Sequence, residues 1–184
     1  MKHLPRTNFV LAAVLIVIVV LASLPFPFYS HQWHKLLHVL GAILFIGNIV
    51  GAAVWMALAL VSRQTRVIHF AAKTVNQADL LFTIPGVLLL FINGLVLAPS
   101  FGGGSVFGAS WVVAGMALLI LSGLLWAGFL LRYQTQLVEL SATGEQVSGE
   151  FFNVFRKWSI WGSISNALAI IALILMVFKP TLWA

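Results

Sequence analysis

Five long apolar runs, at about residues 9–24, 36–61, 80–98, 111–131 and 158–178, constrain this chain more than any other feature. Each is long enough, or nearly so, to cross about 30 Å of hydrocarbon as a helix rising about 1.5 Å per residue. None alternates with the period of two that a strand requires, and in lipid a helix satisfies its own backbone groups. The expected fold is all-α. It is a polytopic membrane bundle of five transmembrane helices, a four-helix core plus an N-terminal helix, with residues 1–184 forming one domain. Composition excludes the alternatives. With 61% hydrophobic and 8% charged residues, the chain lacks the polar surface of a soluble domain, where about 25% of residues are charged. A soluble enzyme, a disordered tail and a nucleic-acid module are all ruled out, and the lipid bilayer is the expected surrounding.

The net charge of +6 does not mark a nucleic-acid surface, because the basic residues stand singly at the ends of apolar runs. Lys2, Arg6, Arg63, Arg66, Lys73, Arg132, Arg156 and Lys157 fall on one side, against Lys35 and Lys179 on the other. That excess predicts a cytoplasmic amino terminus and an outer carboxyl terminus. Lys2, Arg6, the run at residues 9–20 and the small Ala22 also resemble a secretory signal peptide. An uncleaved first helix is the expectation, since the run is long and ends in Pro25-Phe26-Pro27. The absence of cysteine excludes disulfides, thiolate metal sites, iron–sulfur clusters and covalently attached haem.

Two connections stand out. Phe101-Gly102-Gly103-Gly104-Ser105 is uncharged and reads as a simple outer turn. Residues 134–155, with Glu139, Glu145 and Glu150, form the most polar stretch and read as a cytoplasmic loop with helical ends.

Ionisable groups within apolar helices are costly and are functional candidates by default. His31, His34 and His38 are spaced by three and four, which puts them on one helical face. The same stripe continues through Gly41, Phe45, Asn48, Ala52 and Trp55, so a flat, bulky group has room beside the Gly41 backbone. One reading makes His38 an axial ligand of a haem b, since imidazole suits iron and helix bundles hold cofactors between facing helices. The other leaves His31 and His34 hydrated at the interface and bonds His38 to a neighbouring carbonyl. Met116 lies at a depth compatible with a second axial ligand, whereas His69 is a whole membrane away. A five-coordinate haem, or a ligand from a second chain, is an equal alternative. Copper or zinc on the His31, His34 and His38 face is another.

Gly47-x-x-x-Gly51 reads as a helix-packing surface, and Asn48 and Asn93 as interhelical hydrogen bonders. Asp79, before the third run, is expected to cap a helix amino terminus. Its alternative role is a cytoplasmic polar gate with Thr83 and with Arg132 or His69. Pro85 predicts a kink. The tryptophans, Trp55 among them, read mostly as an aromatic belt. No nucleophile–base pair or phosphate-binding loop is visible, and Lys35 stands where a zinc-protease helix requires glutamate.

The segment Trp33-His34-Lys35-Leu36-Leu37-His38-Val39-Leu40-Gly41-Ala42 resembles the W-x-K-x-x-H-x-x-x-A opening of a group of small bacterial membrane proteins. With Ala78-Asp79-Leu80-Leu81-Phe82-Thr83-Ile84-Pro85-Gly86 and Gly123-Leu124-Leu125-Trp126, it is similar to an uncharacterised family of predicted integral membrane proteins over residues 33–178. More distantly it resembles the HemJ-type protoporphyrinogen oxidases and the CopD copper-resistance membrane domain. That resemblance implies a bacterial inner membrane and a haem ligand at His38, and Thr83-x-Pro85 is similar to the oxidases' threonine–proline step. Those oxidases require a lysine near the start of the third span, where this chain has Asp79 and no lysine between Lys73 and Lys157. The resemblance thus carries haem binding without that oxidation.

The leading expectation is a haem-b-binding membrane protein for electron transfer or a redox reaction, a possible haem-dependent oxidoreductase. Its partners would be quinone or porphyrin, a redox protein or a second copy. An outer-facing copper or zinc protein, or an accessory subunit without catalysis, are the alternatives.

Overall fold

Serine starts two of the long helices. Ser30 accepts from the Trp33 backbone N–H and Ser148 from that of Phe151, each at 3.3 Å, which meets one donor of an open first turn. The computed structural model describes residues 6–24, 30–142 and 147–183, with side chains from residue 8 onward. Lys2, the Arg6 side chain, Pro25-Phe26-Pro27 and Glu145 lie outside the described residues. The elements are α1 (Arg6–Ser23), α2 (His31–Val61), α3 (Thr65–Ser100), α4 (Ser110–Ser141) and α5 (Gly149–Phe178). The last four are long and apolar enough to cross a membrane, and α1 is a shorter apolar helix. All regular structure among the described residues is helical, as the apolar runs predict.

Two helices extend well beyond their apolar runs. The first fourteen residues of α3 (Thr65–Ala78) are amphipathic, with Ile68, Ala71, Ala72 and Val75 buried on one face. They pack with Met56 and Ala59 of α2, Leu137 and Val138 of α4, and Phe151 of α5. The stretch at 134–155, expected as a loop with helical ends, has both ends helical: α4 runs on to Ser141 and α5 begins at Gly149. Glu139 and Glu150 are exposed and leave the apolar face free to pack. This extended end carries Arg63, Arg66, Arg132 and Arg156 and is called the arginine end below. The opposite end, with His31, Phe101 and Lys179, is the histidine end.

The long helices pack chiefly as two pairs, α2 with α3 and α4 with α5. In the first pair the contact point is Gly41 against Gly86. A Cβ on Gly41 would lie 2.7 Å from the Gly86 carbonyl oxygen, so only glycine permits this approach. The expected packing surface at Gly47 and Gly51 does not form: a Cβ at either meets nothing within 4 Å. In the second pair Ser122 and Ser165 bond each other's backbone carbonyls at 3.0 and 3.1 Å, and Phe129 stacks on Trp161 at 4.3 Å. The pairs join through the apolar cluster at the arginine end and leave space between them toward the histidine end. Helix α1 leans on α3, with Val19 packed near Leu37 and Leu89.

Helices α3 and α4, one from each pair, each carry one π-helical turn, at Asp79–Thr83 and at Trp126–Leu130. The first lies directly before Pro85, where the sequence predicts a kink. Proline offers no N–H, and the widened turn absorbs the lost bond, with the Ile84 N–H reaching back to the Asp79 carbonyl.

Candidate functional site

At the histidine end the space between the helix pairs is a cavity of about 740 Å³, within the range of small-molecule sites. His38 lines it, half-buried. Its Nδ1 is 2.8 Å from the Leu90 carbonyl oxygen. A carbonyl only accepts, so Nδ1 carries the proton and Nε2 keeps the lone pair, the arrangement that second-shell carbonyls impose on metal-binding histidines. Gly94 lies under the ring: a Cβ there would sit 3.1 Å from His38 Cε1. Met116 lines the same cavity, as do Met176, His31, Lys35 and Lys179. Lys179 adopts a left-handed conformation (φ 50°) at the end of α5, and its ammonium rests 4.6 Å from the Phe101 ring centre.

His34 does not join His38. It is buried, and its Nδ1 meets Asn93 Oδ1 at 2.8 Å. Asn93 in turn donates from Nδ2 to Ser23 Oγ (2.8 Å) and to the Leu89 carbonyl (2.9 Å), which fixes the amide orientation and makes His34 Nδ1 the donor. This network ties α1, α2 and α3 together. Among the described residues, no group of three or more His, Cys, Asp or Glu side chains is gathered to hold a metal ion. Asn93 is thus the interhelical bonder its position predicts.

A second polar centre surrounds Asp79, which is 6% exposed. It is not a helix cap, because α3 begins fourteen residues earlier and runs straight through it. Asn48 Nδ2 and Thr83 Oγ1 donate to its Oδ1 at 2.7 and 2.9 Å, and Asn48 also donates to Thr83 Oγ1 at 2.8 Å. Trp126 Nε1 and Gln134 Nε2 donate to its Oδ2 at 3.1 and 2.6 Å. Two oxygens with two donors each leave no acceptor position open. The proposed gate partners are elsewhere. Arg132 is exposed, and His69 bonds Ser141 Oγ at 3.1 Å at the arginine end. Thr83 alone of that group reaches Asp79.

The predicted stripe on α2 is otherwise the buried face: His34, Gly41, Phe45, Asn48 and Ala52 are buried, and Phe45 lines the His38 cavity. Trp55 departs from it at 45% exposed, while Met56 is 1% exposed in its stead. Three turns beyond Phe45 is about 10.8 residues, which reaches Met56, not Trp55. Sequence reasoning also missed Gln134, Trp126 and Trp158. Gln134 shares the buried face of the α4 extension with Leu137, Val138 and Ser141, and a polar amide on that face was the available signal.

The family model for predicted integral membrane proteins (DUF2269) matches residues 32–180, and the chain belongs to that family. No curated protein and no solved structure matches it.

Proposed function

We propose that the protein binds haem b in the histidine-end cavity, with His38 Nε2 as an axial ligand, and serves electron transfer or a redox reaction at the membrane. The observation that carries this reading is the His38 ring itself, fixed by the Leu90 carbonyl with its lone pair on Nε2 and a glycine beneath it. Met116 and Met176 line the same cavity and offer thioethers as the opposite ligand, a pairing known for haem iron. Lys35, Lys179 and His31 line the cavity as well and supply the cationic or hydrogen-bonding groups that carboxylate side chains of a porphyrin require. The group would supply one-electron chemistry, and a membrane quinone is a suitable partner. The uneven basic residues orient the arginine end toward the cytoplasm, in a bacterial inner membrane, with the haem cavity toward the outside.

Titrating haemin into detergent-purified apoprotein tests this. A saturable Soret band at one haem per chain is expected, lost in His38→Ala and kept in His34→Ala. Stoichiometric copper or zinc binding with no porphyrin absorbance, or a titration identical to that of detergent alone, contradicts it.

A further inference from the structure

A second cavity of about 480 Å³ lies between the helix pairs on the arginine side of Phe45 and Leu119, the two residues that line both spaces. Its walls include the rings of Phe45, Trp126, Phe155 and Trp158, and Asp79 and Gln134 border it. Two buried polar atoms of its lining residues have no hydrogen-bond partner: Gln134 Oε1 and Trp158 Nε1. Gln134 is 5% exposed. Its amide cannot be turned over, because Nε2 is held by Asp79 at 2.6 Å and a carboxylate only accepts. Buried groups left unpaired are rare in folded proteins, and here one is an acceptor and the other a donor.

We infer that this cavity binds a lipid-soluble aromatic alcohol, of the phenol or quinol type, whose hydroxyl donates to Gln134 Oε1 and accepts from Trp158 Nε1. A hydroxyl is the smallest uncharged group that meets both needs at once. The aromatic walls suit a planar ring, and lipid between the helices is the route by which such a molecule arrives. A charged ligand has no counterpart here, because Asp79 already has two donors on each oxygen. Both atoms are themselves shielded, so the hydroxyl reaches them only if the Gln134 amide and the Trp158 indole turn toward the cavity that both residues border. The proposal does not rest on haem binding, since it concerns other residues.

Radiolabelled para-octylphenol, added to the protein in nanodiscs and to empty nanodiscs, tests it. Saturable binding of one molecule per chain is expected above the empty-disc background, and equally in His38→Ala. On the wild-type protein, para-octylanisole, which keeps the ring and loses the donor, should compete at least about tenfold more weakly. Trp158→Phe keeps an aromatic wall and should weaken the phenol by about tenfold. No saturable binding, equal competition by the anisole, or unchanged affinity in a folded Trp158→Phe protein would overturn the proposal, and the two unpaired atoms would then be met by water alone.

Discussion

Trp126 Nε1 donates to Asp79 Oδ2 across 3.1 Å, and each of these residues opens a π-helical turn in its own helix. The two widened turns therefore face each other at the one buried carboxylate among the described residues. π turns cost backbone hydrogen-bond geometry and recur where a side chain must be re-aimed. Here they bring an indole from the α4–α5 pair onto a carboxylate of the α2–α3 pair, so a polar contact joins the pairs where their apolar packing thins out.

Asp79→Asn should destabilise the protein by about 2–4 kcal/mol, because an amide nitrogen then faces two donors on whichever side it takes. Thr83→Val removes one of four donors and should cost about 1 kcal/mol. Thermal unfolding in detergent, followed by circular dichroism, measures both. Equal stability of Asp79→Asn and wild type would mean that the four bonds do not hold the bundle.

The glycines of α2 should respond in opposite ways. Gly41→Ala forces a Cβ to 2.7 Å from the Gly86 carbonyl and should cost about 1–3 kcal/mol as α2 and α3 separate. Gly47→Ala and Gly51→Ala place a methyl in open space and should stay within about 0.5 kcal/mol. The same unfolding assay ranks them, and a large loss at Gly47 would contradict the observed packing.

Asn93→Leu should leave His34 Nδ1 and Ser23 without their shared partner, at a cost of about 1–3 kcal/mol. Because this amide also holds α1 to the bundle, limited proteolysis should cut near Ser23 faster in the variant. An unchanged digestion rate would show that α1 is held by its apolar contacts alone.

The helices were legible because lipid demands long apolar runs, and the buried face of α2 was legible because helical periodicity is a geometric rule. Trp55 was misread because steps of three and four average 3.5 residues and drift from a straight helix, which brings Met56 to the buried face. The α3 extension escaped because charged residues on one face, such as Arg66 and Lys73, conceal an apolar face that packs. Asp79 was visible as a carboxylate beside an apolar run, yet its donors Asn48, Trp126 and Gln134 come from two other helices. No spacing along one chain segment encodes which helices become neighbours. The same holds for His34 and His38: one stripe of α2 carries both, and only the placement of Asn93 and Leu90 on α3 sends one into a structural network and leaves the other bordering a cavity.

The reduced-minus-oxidised absorption spectrum of protein purified from haem-sufficient cells tests the central claim most directly. The account predicts a b-type haem signal at one haem per chain that disappears in His38→Ala and survives in His34→Ala. Colourless wild-type protein that is fully folded, or a haem signal indifferent to His38, would contradict it.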